Sequence, residues 1–144
     1  MTKLEDFLKV NKDRKIWTIS KEQSVRQALI LMSENNIGAI IIVDNKDFPI
    51  GIFSERDYAR KIILKGKNSK ETLLGEVMTK GLFTVTRDYE IDQCMEIMNE
   101  KKIRHLPVLE NKKIVGIISI RDVLKIMMKE QKELIDHLQK FITT

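Results

Sequence analysis

Gly51-Ile52-Phe53-Ser54-Glu55-Arg56-Asp57 recurs, with two changes, as Gly116-Ile117-Ile118-Ser119-Ile120-Arg121-Asp122. Each stretch reads as an apolar strand that turns into a helix, with Ser at the N-cap and a carboxylate three residues later. Such a pair invites a search for a longer duplication, because internal repeats decide an architecture before any single element does.

The duplication extends back toward the N-terminus. Sliding the chain by 66 residues places Thr18 on Thr84, Val25 on Ile91, Ala28 on Cys94, Leu29 on Met95, Met32 on Met98 and Ile37 on Ile103. Beyond Lys46 and Lys112 the shift becomes 65, and Gly51, Ser54, Arg56 and Asp57 fall on Gly116, Ser119, Arg121 and Asp122. The single gap lies in a polar turn, N-K-D-F-P against N-K-K, where a loop tolerates a length change.

Each copy reads alike. Alternating apolar and polar residues predict a first strand over Ile16–Ser20 and over Leu82–Thr86. A helix follows, with capping-box spacing at Ser24 and Gln27 and a stripe of Val25, Ala28, Leu29 and Met32. Its counterpart is Ile91, Cys94, Met95 and Met98. Two β-rich runs come next, Ala39–Val43 and Ile50–Phe53, then Leu106–Leu109 and Ile114–Ile118. A second helix opens at Ser54 and at Ser119. The expectation is an α/β fold of two pseudosymmetric β-α-β-β-α units packed face to face, since one unit of about fifty residues buries too little surface alone. A cleft between two such units is an ordinary place for a small ligand. The boundaries expected are an N-terminal segment 1–14, a first unit 15–66, a linker 67–80, a second unit 81–130 and a C-terminal helical extension 131–144.

Composition narrows the function classes. The 144 residues are 42% hydrophobic and 33% charged, as in a globular protein with a solvated surface. No run is long enough to cross a membrane and the start lacks a secretory leader, so no membrane partner is expected. A single cysteine fits a reducing cytoplasm. The net charge of +5 comes from scattered lysines, and no RNP, KH or zinc-finger signature accompanies it, so a nucleic-acid partner is a rival reading only. Two histidines do not make a metal site. Cys94 lies on the apolar helix stripe, as do Met32, Met95 and Met98, and Trp17 fits packing as well as stacking on a purine. No Walker, dinucleotide, HExxH or GxSxG motif occurs, and no nucleophile–base pair is visible, so an enzyme is not expected.

The Ser-x-x-Asp spacing carries two readings. Ser at the N-cap and Asp at N3 cap a helix, and need do nothing more. The same geometry offers N–H groups and a hydroxyl to a phosphate, and a carboxylate to a ribose diol. The Arg kept between them in both copies is not required by a cap.

The tandem G-x-x-S-x-R-D pattern, with I-R-H-L-P-V before its second occurrence, resembles a pair of cystathionine-β-synthase (CBS) domains over residues of about 15–130. The resemblance implies a stand-alone regulatory module with two clefts that bind AMP, ADP, ATP or a related adenosyl ligand, with no other cofactor. The helix-opening Asp then holds the ribose and the nearby Ser or Thr the phosphate. On this chain one cleft would use Ile52, Ser54, Arg56 and Asp57, faced by Thr84, Arg104 and His105. The other would use Ile117, Ser119, Arg121 and Asp122, faced by Thr18, Gly38 and Ala39, with Arg121 and Arg56 each within reach of the opposite site. Arg104 and His105 should draw more phosphate charge to the Asp57 cleft, while Gly38 and Ala39 leave room for a purine. Leu124, Met128, Ile135, Leu138 and Ile142 keep a helical spacing, interrupted by Gln131, that fits either a cover for the core or a homodimer contact; the resemblance implies the latter, since family members commonly pair. The regulated protein is not named by any motif, and an assembly module with empty clefts is the remaining alternative.

Overall fold

The computed structural model describes residues 2–143. In chain order the elements are α1 (Leu4–Val10), β1 (Thr18–Ser20), α2 (Val25–Glu34), β2 (Ala39–Val43), β3 (Pro49–Ser54) and α3 (Glu55–Asp57), which continues as a π-helical turn over Tyr58–Ile63. Then come α4 (Leu74–Val77), β4 (Thr79–Lys80), α5 (Ile91–Lys101), β5 (His105–Glu110), β6 (Lys113–Ser119) and α6 (Ile120–Thr143). The two copies follow one β-α-β-β-α order in a mixed α/β fold, with the first strand of the second copy reduced to a single bridge.

The chain forms two compact units. One comprises Lys15–Phe83 with Asn111–Ile114; the other comprises Met1–Arg14, Thr84–Glu110 and Val115–Thr144. The unit of the first copy holds a four-stranded sheet in the order β1-β2-β3-β4. Strand β1 lies parallel to β2, pairing Thr18 with Ile41 and Ser20 with Val43. Strand β3 runs antiparallel to β2, with a bulge at Ile42/Val43, and β4 closes the edge through Gly51↔Lys80 and Ile52↔Thr79. Helix α2 starts where the sequence predicts, the Ser24 hydroxyl accepting from the Gln27 amide at 3.2 Å. It buries Val25, Ala28 and Met32 against Ile40, Ile42, Phe53, Ile62, Leu74 and Val77.

The second copy repeats this core with Ile91, Cys94, Met98, Leu106, Val108, Ile118 and Val123. Its hairpin turns on Asn111 and Lys112, at φ 51° and 66°, the two left-handed positions of a two-residue turn. The longer first-copy turn is instead held by the Asp44 carboxylate, which accepts from the Lys46 and Phe48 amides at 2.8 and 3.0 Å.

One expected strand is not formed. Residues 82–86 make a single parallel bridge, Val85↔Val108, with Val85 donating to Pro107 and Leu109 donating to Val85. The next rung would need an N–H at Pro107, and proline has none. Ile41 stands at that position in the first copy, and there the ladder extends over three residue pairs.

The segments that lead into each copy are not loose. Residues 67–80 bond to the start of α2: Val25 donates to Thr72, Arg26 to Ser69 and Leu74 to Gln23, each at 2.9 Å. The N-terminal residues join the second copy in the same manner. Leu4 donates to Tyr89 at 2.8 Å, and Leu4 and Phe7 are buried. So the stretch ahead of each copy packs on the other copy's elements, and the repeat glycines receive it. A Cβ on Gly51 would stand 2.5 Å from Met78 Sδ, and one on Gly116 would collide with the Leu8 side chain.

Candidate functional site

The fourteen predicted site residues divide evenly between the two units. Thr18, Gly38, Ala39, Ile52, Ser54, Arg56 and Asp57 lie in one; Thr84, Arg104, His105, Ile117, Ser119, Arg121 and Asp122 lie in the other. Within each unit the same bond ties the second strand's start to the helix start. Glu55 donates to the Gly38 carbonyl at 3.1 Å, and Ile120 donates to the Arg104 carbonyl at 2.8 Å. Ala39 pairs directly with Ser54 across the sheet.

Both helix starts set a carboxylate in the same way. Asp57 Oδ2 accepts from the Ser54 amide at 2.9 Å and from the Ser54 hydroxyl at 3.1 Å, while the Asp57 amide donates back to Ser54 Oγ at 3.2 Å. Asp122 Oδ2 accepts from the Ser119 amide and hydroxyl, both at 2.9 Å, and its amide returns a bond of 3.1 Å. Capping is therefore real in both copies, and it fixes the plane of each carboxyl group. Both aspartates remain partly open to solvent.

The two sites differ in what meets the rest of the carboxylate. At Asp57, Oδ1 accepts from the Thr79 hydroxyl at 3.2 Å and pairs with Lys61 Nζ at 3.3 Å. Lys61 lies one turn along the same helical segment and also donates to the Val77 carbonyl and Thr79 Oγ1, at 2.9 and 3.0 Å. In the second copy the residue aligned with Lys61 is Ile126, and the cation comes from far away in sequence. Arg14 places Nη1 3.1 Å from Asp122 Oδ2 and Nη2 3.3 Å from Oδ1. Burial pushes the Asp122 carboxyl up, but the Ser119 amide, Arg14 and the Ser119 hydroxyl together outweigh it and hold it below its usual value.

Lys61, Thr79 and Arg14 are the site residues that sequence reasoning missed. Their signal is faint: Arg14 aligns with Lys80, next to Thr79, so a basic residue precedes both first strands. Arg56, Arg104 and Arg121 are exposed, and among the described residues they form no ion pair. His105 is half-buried; burial lowers its pKa below the ordinary value, Asp122 opposes this and Arg104 adds to it. Trp17 packs on the first core and carries Lys15 Nζ 4.1 Å over its ring. Cys94 is buried and its thiol is pushed up to about 11 by desolvation, which suits a core residue. Among the described residues no helix is long and apolar enough to cross a membrane.

The duplicated unit, whose second helix opens each time on Ser-x-Arg-Asp, defines a tandem-repeat module. The chain belongs to the CBS-domain family: the family model matches residues 6–64 and again 74–129, which makes it a CBS-domain pair. A protein with CBS domains from Burkholderia ambifaria has a structure that superposes with a TM-score of 0.84 at 41% identity, over 90% of this chain and 96% of that one. A mitochondrial CBS domain-containing protein of Arabidopsis thaliana is 36% identical over 125 residues. That match takes in 84% of this chain, which spans 61% of the Arabidopsis protein's length. The CBS domain pair of protein MJ0100, solved with 5-methylthioadenosine and S-adenosyl-L-methionine, shares the fold with a TM-score of 0.79 at 24% identity, over 90% of this chain and 98% of that one.

Proposed function

We propose that this chain is a ligand-sensing regulatory module that binds an adenine nucleotide (AMP, ADP, ATP or a related adenosyl compound) at its two Ser-x-Arg-Asp helix starts. The observation that carries this reading is the matched set of the two carboxylates. In each, Oδ2 is anchored by the serine amide and hydroxyl, so Oδ1 is held at a fixed place and faces donors from outside the helix start. At Asp57 one of those donors is a hydroxyl, the same kind of group that a ribose presents. A cap alone needs neither the exposed Arg56 and Arg121 nor a second, differently partnered oxygen. The exposed arginines suit phosphate, whose recognition gains from charge-assisted bonds. Thr18, Thr84, Arg104 and His105 complete the proposed contact set, and Gly38 and Ala39 leave the backbone approachable by a base. The adenosyl compounds held by the MJ0100 domain pair support the ligand class.

The site offers binding groups rather than a nucleophile with its base, so the output is a change of shape or of partner. The apolar face of α6 suits a second copy of the chain, and the proposed state is a homodimer. Titration calorimetry with AMP, ADP and ATP tests the ligand reading. Micromolar affinity, about −8 kcal/mol, is expected; no heat at millimolar ligand would sink it.

A further inference from the structure

The Asp122 carboxylate has its oxygens shared between its own cap and the guanidinium of Arg14, 108 residues away. Arg14 is held in that pose by the N-terminal arm. Its Nη2 donates to Asn11 Oδ1 at 3.0 Å, its Cζ lies 5.4 Å from the Phe7 ring, and Phe7 is itself core. The pair lines one end of a groove of about 350 Å³ between α1 and α6, whose wall also includes Val10, Ile126 and Glu133. At Asp57 the cation is instead Lys61, bonded to the carboxylate at a single point; if it lets go it keeps Val77 O and Thr79 Oγ1. Arg14 has no comparable pair of acceptors waiting. Among the described residues, the only side-chain acceptor it holds beyond Asp122 is Asn11.

We propose that Arg14 sets the order in which the two sites load: it competes with ligand for the Asp122 carboxylate, makes that site the weaker one, and frees the end of α1 when ligand displaces it. This rests on the reading of both aspartates as ribose acceptors. The physics is direct. A fork of two bonds from a cation must be exchanged for two bonds from neutral hydroxyls to the same carboxylate, which lack the attraction between opposite charges. Arg14 is half-exposed, so the exchange is worth a modest amount, about fivefold in affinity. Loading of this site is thereby reported in the stretch Val10–Arg14, where Val10 is already 83% exposed.

The test uses the full chain carrying Asp57→Asn, which weakens the other site, with and without Arg14→Gln. ATP, ADP, AMP and S-adenosylmethionine are the probes in calorimetry. Arg14→Gln should tighten the best probe by about fivefold, and Arg14→Lys, which keeps charge but not the fork, should fall between. Saturating ligand should speed amide exchange over Asn11–Arg14 in the chain that keeps Arg14, and should leave it unchanged in the Arg14→Gln variant. Equal affinity overturns the proposal; so does weaker binding, which would make Arg14 a phosphate clamp instead. A different result, no binding of any probe to wild type or to either single variant, removes the nucleotide reading itself and the proposal with it.

Discussion

Met78 lies across Gly51, its Sδ 2.5 Å from the place a Cβ would take, and the Thr79 carbonyl oxygen lies 3.0 Å from the same point. The equivalent neighbour of Gly116 is the far end of the Leu8 side chain alone. The two glycines thus serve close packing of a leading segment, and they differ in what can yield. Gly51→Ala should cost about 1–3 kcal/mol, because a backbone oxygen cannot rotate away. Gly116→Ala should cost less, and Leu8→Ala should relieve it. Chemical denaturation of the singles and the Leu8/Gly116 double variant reads the difference.

Asp57→Asn and Asp122→Asn keep the side-chain shape at each helix start and remove the charge. Each should weaken ligand at its own site by about 1–3 kcal/mol, or roughly five- to 150-fold. The melting temperature should change little. Normal binding with a sharply lowered melting temperature would leave these carboxylates as caps and nothing else.

Burial lowers the pKa of His105 below the ordinary 6.5, with Asp122 opposing and Arg104 reinforcing. The unfolded chain therefore takes up a proton that the folded chain resists. The contribution of neutral His105 is complete above 6.5 and is lost as pH falls toward the depressed folded value. Thermal unfolding followed from about pH 7.5 to about pH 5 should show a steeper loss of stability in wild type than in His105→Gln. Parallel curves would contradict this.

Helix α6 leaves Leu124, Met128, Ile135, Leu138 and Ile142 exposed, and Leu134 and Phe141 widen the stripe. Sizeable apolar patches mark interaction surfaces, and a twofold pair is the commonest way to cover one. Glu130 must stay, because the Thr2 amide and hydroxyl both donate to it. Truncation after Gln131 should therefore convert a dimer into a monomer in sedimentation without loosening the N-terminus. A wild-type monomer at tens of micromolar would end the dimer proposal.

Local chemistry made much of this fold readable. Strand Ala39–Val43 and the helix starts at Ser24, Ser54 and Ser119 follow from short-range alternation and capping, which neighbours in sequence decide. The strand expected over Leu82–Thr86 failed for a reason on a different segment, Pro107, invisible from its own alternation. The π-helical turn after Asp57 has no sequence mark. At the site, the Ser-x-Arg-Asp pairs were legible because they repeat. Arg14 was not, since its contact joins positions that no local pattern relates.

The attachment of α1 also governs when the molecule can be finished. One unit is almost continuous in sequence, Lys15–Phe83, and can collapse while the remainder is still being synthesised. The other has to wait. Its first helix leaves the ribosome long before Tyr89, Gly116, Asp122 and Glu130, the residues that Leu4, Leu8, Arg14 and Thr2 meet. Closing so long a loop is slow, because its entropy is lost before the contacts that reward it form. The apolar side of α1 is therefore the last part of the chain to be sheltered and the one with the longest exposure to chaperones and to misassembly.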